Sequence, residues 1–326
     1  MLENRKNVWS TACGLNDEFE SHIPRKPSIL FIGNRSSGKT SLIHRFIESR
    51  LELRETLALQ YYTASKIKKY ESFAELCDIW ELGEGSVLTE LLGLPIRADN
   101  LSNLMIVLSL DLSRPEEIII VSDVLLKTIQ KRMDGLLKNL STEVLKELDD
   151  QTKTRLRKNR SSSSGIFTVP LIIVGTKFDL FQEMDSEERK LINRYLRCLT
   201  ASLGACMIYT SSKRDVLMNK FSSLLFSLAF KVEMDKIEPR IDHRKPLWIP
   251  FDADTLEDVG DDSIDTLRKV IENRWPQIEI KKSARDNPAD DDNFREHDID
   301  LIYSQRGAEL RKFHHGSRQQ AERIYG

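Results

Sequence analysis

FIGNRSSGKTS, Phe31–Ser41, is the stretch on which the fold turns. Gly33, Gly38, Lys39 and Thr40 meet the pattern G-x-x-x-x-G-K-[ST]. The apolar run Ile29-Leu30-Phe31-Ile32 precedes it and LIHRFIESR follows with helical spacing, so the loop joins a strand to a helix. In that context Gly33, Ser36, Ser37 and Gly38 can turn backbone N–H groups around a phosphate, and Lys39 can neutralise its charge. The Thr40 hydroxyl can hold Mg²⁺, and Thr40 and Ser41 complete the expected phosphate-binding set. A nucleotide phosphate is the expected occupant.

Composition narrows the class. The chain has 326 residues, 40% of them hydrophobic, which is enough for one large α/β domain with extensions or for two domains. No apolar run approaches the roughly 20 residues of a membrane span, and the N-terminus lacks a secretory apolar core. A formal net charge of −2 offers no basic field for nucleic acid. Cys13, Cys77, Cys198 and Cys206 show no C-x-x-C spacing and read as reduced, buried thiols. A soluble cytoplasmic protein, with neither nucleic acid nor membrane as partner, is the expectation.

Along the chain, residues 1–26 read as a polar N-terminal arm. From 27 to 232, apolar runs alternate with helical stretches, which implies a mostly parallel sheet with helices on both faces. LMIVLSLDLS (104–113), VPLIIVGTKFDL (169–180) and ACMIYTSS (205–212) are near-continuous apolar runs suited to central parallel strands, and ELCDIWEL (75–82) is a further strand. Ile118, Val121, Leu125, Ile129, Met133, Leu136, Leu140, Val144 and Leu148 recur every three or four residues. That periodicity predicts one long inserted helix over about 116–150, roughly nine turns. It either lengthens the domain's own core or packs on something else. A flexible loop at about 151–165 contains four consecutive serines. Residues 233–280 read as a C-terminal extension packing on the domain or on a partner. Within it SIDTLRKVIENRWPQ (263–277) is a short helix with Leu267, Val270, Ile271 and Trp275 on one face. The charged tail, 281–326, has too few apolar residues to fold alone and is expected to be disordered or docked on a partner.

Two later segments bear on the base. Thr176-Lys177-Phe178-Asp179, after a buried strand, resembles the N-K-x-D loop of small GTPases, with Thr176 in place of Asn. A carboxylate at Asp179 can accept two N–H bonds from guanine, and the Lys177 stem can pack over the ring. Ser211-Ser212-Lys213 resembles the S-A-K loop that closes such a site. GTP or GDP with Mg²⁺ is therefore the expected cofactor, with an empty loop kept as a fold element as the alternative. Thr56 is the candidate second Mg²⁺ ligand, ahead of Thr63. The D-x-x-G-Q segment is replaced by Trp80-Glu81-Leu82-Gly83-Glu84-Gly85, which can be aligned in two registers. Gly83 as phosphate sensor puts Trp80 in the Asp position and Glu84 in the Gln position. Glu81 in the Asp position makes Glu84 the sensor and leaves Gly85 where a Gln should orient water. Both registers imply slow or absent hydrolysis, and no catalytic residue is assigned.

WELGEG, TLALQYY, LSLDLSRPEE with its following helix, VPLIIVGTKFDLF, LLFSLAF and PLWIPFD resemble the dynein light intermediate chains, over about residues 27–300. Among them the resemblance favours the branch serving cytoplasmic dynein 2. It implies a Ras-like P-loop domain used as a non-catalytic subunit that packs on the dynein 2 heavy chain tail beside other dynein 2 subunits. It also implies a place in retrograde intraflagellar transport and cilium assembly. The implied locations are cytoplasm and cytoskeleton, and the cilium or flagellum including basal body and axoneme. A regulatory GTPase-like protein that hydrolyses GTP slowly is the competing expectation.

Overall fold

A computed structural model describes residues 26–49, 52, 54–67, 74–85, 88–156, 166–232, 238–254, 259, 263–277 and 297–325. Residues 1–25 of the N-terminal arm, Cys13 included, lie outside them. Seven strands form one sheet: β1 (Ser28–Gly33), β2 (Leu59–Ile67), β3 (Ala74–Leu82), β4 (Leu104–Asp111), β5 (Leu171–Thr176), β6 (Cys206–Tyr209) and β7 (Trp248–Ile249), in the order β2-β3-β1-β4-β5-β6-β7. β1, β4 and β5 are buried along their whole length, which is why their sequences run apolar without alternation. The pairs β3–β1, β1–β4, β4–β5 and β5–β6 are parallel, and the edge pairs β2–β3 and β6–β7 are antiparallel.

Period-two alternation sorts the strand residues onto two faces. Ile29 and Phe31 share a cluster with Leu42, Ile43 and Phe46 of α1 (Lys39–Phe46) and with Phe221, Leu224 and Leu225 of α6 (Asp215–Phe230). Leu30 and Ile32 share the opposite cluster with α2 (Pro115–Leu137), α3 (Thr142–Arg155), α5 (Ser186–Leu203) and α7 (Ile264–Arg274). A short turn of helix, α4 (Phe178–Phe181), follows β5. Asp185 caps α5 by accepting from Glu187 N at 2.9 Å, and Gly204 ends it at φ 61°.

The expected single inserted helix is two. After Leu137 the backbone tightens, with Asn139 N donating to Leu136 O (2.9 Å), and Ser141 is extended at φ −65° and ψ 152° before α3 begins. Asn and Ser favour turns and caps over helix interiors, and that local preference wins at 139–141. The apolar period survives the break because Leu136, Leu140, Val144 and Leu148 all reach one cluster. The insertion thus lengthens the domain's own core. Residues 151–155, assigned above to a flexible loop, are the last turn of α3; 157–165 lie outside the described residues.

Of the two expectations for residues 233–280, packing on the domain or on a partner, the described residues 238–254, 259 and 263–277 take the first. β7 closes the sheet, with Leu247, Trp248 and Ile249 buried. Leu267 and Ile271 of α7 are buried in the cluster shared with α2 and α5, while Val270 falls off that face and is exposed. Ion pairs fasten the segment, Arg274 to Glu188 at 2.7 Å among them. Arg197 donates to both oxygens of Asp254 at 2.7 and 2.9 Å, and Arg268 to both oxygens of Asp123 at 2.6 and 2.7 Å. Residues 1–280 and 281–326 form separate compact units. In the second, the tail expected to be disordered or docked carries a 29-residue helix, α8 (His297–Tyr325). Too few apolar residues argue against a core, not against a local helix of Ala, Glu, Gln, Arg and Lys. Ile299, Leu301, Ile302, Tyr303 and Leu310 are exposed on it. Among the described residues, no helix is long and apolar enough to cross a membrane, and Cys77, Cys198 and Cys206 are buried thiols outside any disulfide.

Candidate nucleotide site

The loop Asn34–Gly38 lies between β1 and α1, at the C-terminal ends of the parallel strands. Gly38 stands at φ 85°, a left-handed conformation that aims the start of α1 at the loop's interior. A cleft of about 490 Å³ opens there. Its lining includes Arg35 to Leu42, Arg54 to Thr56, Glu81, Gly83, Thr176, Lys177, Thr210 and Ser212. Apart from Gly33, Asp179 and Ser211, every expected site residue therefore faces one space, and those three flank it.

Lys39 is buried, and its ammonium donates to Gly33 O (3.0 Å), Asn34 O (2.8 Å) and Gly83 O (3.1 Å). Burial pushes its pKa down to about 8, against an opposing pull from Glu81. An ammonium has three protons, so a phosphate must take one from a carbonyl. Thr40 Oγ1 donates to Glu81 Oε1 at 2.7 Å, and the Tyr62 hydroxyl donates to Glu81 Oε2 at 3.2 Å. Burial first, and then Glu81, pushes the Tyr62 phenol up to about 12. Glu81 at the end of β3 thus meets Thr40, whereas Trp80 packs at a tilt against Tyr61 with ring centroids 4.9 Å apart. That selects one of the two registers: Glu81 takes the Asp position, Glu84 the sensor position and Gly85 the Gln position. Gly85, at φ 49°, sits against the loop so closely that a Cβ there would lie 2.4 Å from Gly33 O.

Thr56, the candidate Mg²⁺ ligand, is buried on the cleft wall, with its hydroxyl donating to Gln60 Oε1 at 3.3 Å. Its carbonyl leaves no space for a side chain at Gly83, where a Cβ would lie 2.3 Å away. On the other wall, Thr176 is a positioning residue more than a base contact. Its hydroxyl donates to Ser37 O at 2.9 Å, and Ser109 Oγ donates to the same carbonyl at 2.6 Å. Lys177, at φ 56°, places its ammonium on Asp111. Asp179 accepts from Ser211 Oγ at 2.6 Å and pairs with Lys213 at 2.9 Å. Partial burial would raise the Asp179 pKa, but these hydrogen bonds outweigh it and lower it.

The residues present fit a nucleotide. Ser37 Oγ is buried with no protein partner, on the loop that would cradle phosphate. Asp179 is held in place by Ser211, leaving the exposed Lys213 as the group a base would displace. Thr40 and Glu81 would stand beside a Mg²⁺ ion, whose charge would offset that of phosphate. Several members escaped the sequence reading. Asp111 could have been found as an acid closing a buried apolar strand. Asn34, which donates to Glu117 Oε2 at 2.5 Å and ties the loop to α2, carried no signal.

Comparison with known proteins follows from this geometry. The family model for dynein light intermediate chain (DLIC) matches residues 3–161. The chain is 34% identical to cytoplasmic dynein 2 light intermediate chain 1 of Danio rerio, over 94% of this chain and 89% of that one. Against the Homo sapiens protein of the same name it is 29% identical, over 91% and 90%. Cytoplasmic dynein 1 light intermediate chain 1 of Mus musculus is 20% identical, over 87% of this chain but 61% of that one. Among solved structures, the crystal structure of a dynein light intermediate chain's conserved domain superposes with a TM-score of 0.57 at 15% identity. The match covers 78% of this chain and 92% of that one.

Proposed function

Because the chain belongs to the dynein light intermediate chain family, we propose that it serves as the light intermediate chain of cytoplasmic dynein 2, a non-catalytic subunit. In this role it binds and steadies the tail of the dynein 2 heavy chain, beside the motor's other subunits, for retrograde intraflagellar transport and cilium assembly. It works in the cytoplasm, on the cytoskeleton and in the cilium, from basal body to axoneme. One observation carries the choice of motor. The dynein 2 relative matches at 34% over 94% of this chain and 89% of its own length, whereas the dynein 1 relative matches at 20% over 61% of its own length.

The site geometry supports a holding role over a turnover role. Gly85 in the Gln position has no side chain with which to orient water, and Glu84 in the sensor position would bring a carboxylate near the last phosphate. At 4 Å and an effective dielectric of about 20, two like unit charges repel by roughly 4 kcal/mol. GTP or GDP with Mg²⁺ would be held by Gly33, Ser36, Ser37, Gly38, Lys39, Thr40 and Ser41 at the phosphates. Lys177, Asp179, Ser211 and Ser212 would hold the base. Thr56 could approach the ion from the facing wall.

The test is co-purification of the tagged chain with the dynein 2 heavy chain tail, for the wild type and for Lys39→Ala. Recovery of the tail by both is expected. A folded Lys39→Ala chain that fails to recover it would make assembly nucleotide-gated, and failure of both would remove the subunit reading. A second reading, a slow regulatory GTPase, draws on the retained Thr40–Glu81 and Ser211–Asp179 contacts. GTP turnover no faster than that of Lys39→Ala would remove it.

A further inference from the structure

The cleft lining falls into two groups. Thr176, Lys177, Thr210 and Ser212 stand on the side of Asp179 and Ser211, where the base would lie. Arg35, Arg54, Glu55 and Thr56 stand on the side of Gly83, whose carbonyl holds Lys39. A nucleotide lying with its base on the first side would have its last phosphate on the second. There the guanidinium of Arg35, itself a residue of the phosphate loop, donates to Glu55 Oε2 at 2.7 Å. The two side chains are about half exposed, and the charge of Glu84 also reaches Arg35.

We infer that Arg35 is a specificity residue that exchanges Glu55 for the terminal phosphate of a nucleoside triphosphate. The inference rests on the nucleotide reading of the cleft given above. An exposed arginine–carboxylate pair is a weak interaction, screened by salt. A terminal phosphate offers the same planar fork two oxygens and a larger charge. It also offers Arg35 a position between that phosphate and Glu84, so the arginine offsets the repulsion that Glu84 would otherwise impose. A diphosphate ends short of this side and leaves the Arg35–Glu55 pair standing. Exchange releases Glu55, which lies one residue from Thr56 and hence from the Gly83 turn.

Titration of the full-length chain with a non-hydrolysable GTP analogue and, separately, with GDP tests this. Three proteins are compared: wild type, Arg35→Ala and Glu55→Gln. Arg35→Ala should weaken binding of the triphosphate analogue about tenfold or more while leaving GDP within about twofold. Glu55→Gln should strengthen the triphosphate analogue a few-fold, the opposite direction from any general damage to the fold. If Arg35→Ala weakens both ligands equally, or neither, Arg35 is no specificity residue and the inference falls while the nucleotide site stands. If the wild type binds neither ligand, the nucleotide reading itself falls and this inference with it.

Discussion

Replacing Lys39 by Met and following stability with pH isolates the buried ammonium. Lys39 is 4% exposed and its pKa falls from 10.5 to about 8 on folding, mainly because burial disfavours the charged form. Between about pH 8 and 10.5 the unfolded chain holds this proton and the folded chain does not. Stability rises with pH wherever the unfolded state binds more protons, so across this window Lys39 makes the folded state progressively more favourable. At roughly 1.4 kcal/mol for each pH unit, the gain is about 1.4 kcal/mol at pH 9 and approaches about 3 kcal/mol near pH 10.5. The assay is urea unfolding of wild type and Lys39→Met from pH 7 to 10.5, read as the difference between the two proteins. Subtraction removes the groups whose folded pKa is raised, such as Tyr62 and Cys77, both pushed up to about 12, which lower stability at the alkaline end. The wild type should gain on Lys39→Met as pH rises. Parallel profiles would refute the reasoning, because they would mean that the ammonium is no more desolvated folded than unfolded.

Gly85→Ala should destabilise the chain by about 1–3 kcal/mol, because φ 49° is strained for alanine and the new Cβ would press on Gly33 O; an unchanged urea midpoint would show that the 83–85 turn lifts from the loop freely. Ile271→Ala should cost about 2–5 kcal/mol, as expected for a fully buried aliphatic residue. Truncation after Phe230 should leave a chain that fails to unfold cooperatively in a thermal scan, because β7 and α7 would be gone from both faces; a sharp transition would return residues 238–277 to the status of an appendage.

The strands that could be read most directly were the ones buried on both faces, with the half-exposed β3 legible as ELCDIWEL. β1, β4, β5 and β6 announce themselves because a parallel interior strand has no solvent face and so no polar alternation. β7 did not, since a two-residue edge strand flanked by Pro246 and Pro250 carries no periodicity. β2 was visible only as the motif TLALQYY. At the site, Lys39, Thr40 and Asp179 were legible because their chemistry is tied to a local spacing. Glu81 was not assignable from spacing alone: two registers of WELGEG were equally consistent with the sequence. The choice depends on which side chain at the end of β3 points toward α1, and in a strand neighbouring residues point to opposite faces. The long insertion shows the complementary failure. Its apolar period was real, but period reports which face is buried and not whether the backbone continues unbroken, so two turn-forming residues, Asn139 and Ser141, divided it unseen.

The charged and hydroxyl side chains around the phosphate loop are held largely by protein partners, Ser37 Oγ excepted, and this bears on how such a domain can serve as a structural part. Lys39 has three carbonyl acceptors, Thr40 has Glu81, the Ser37 carbonyl has Thr176 and Ser109, and Asp179 has Ser211. A buried polar group without a partner costs about 1–3 kcal/mol, so a loop that relied on phosphate for these bonds would lose much of its stability when the ligand left. Here those bonds, Ser37 Oγ apart, have protein partners, and a ligand would have to compete for Lys39 against Gly83. Ligand affinity is reduced by whatever that turn contributes, while the sheet, in which β1 ahead of the loop is paired on both sides, keeps its geometry. Such an arrangement suits a subunit whose surfaces must persist whether or not nucleotide is at hand.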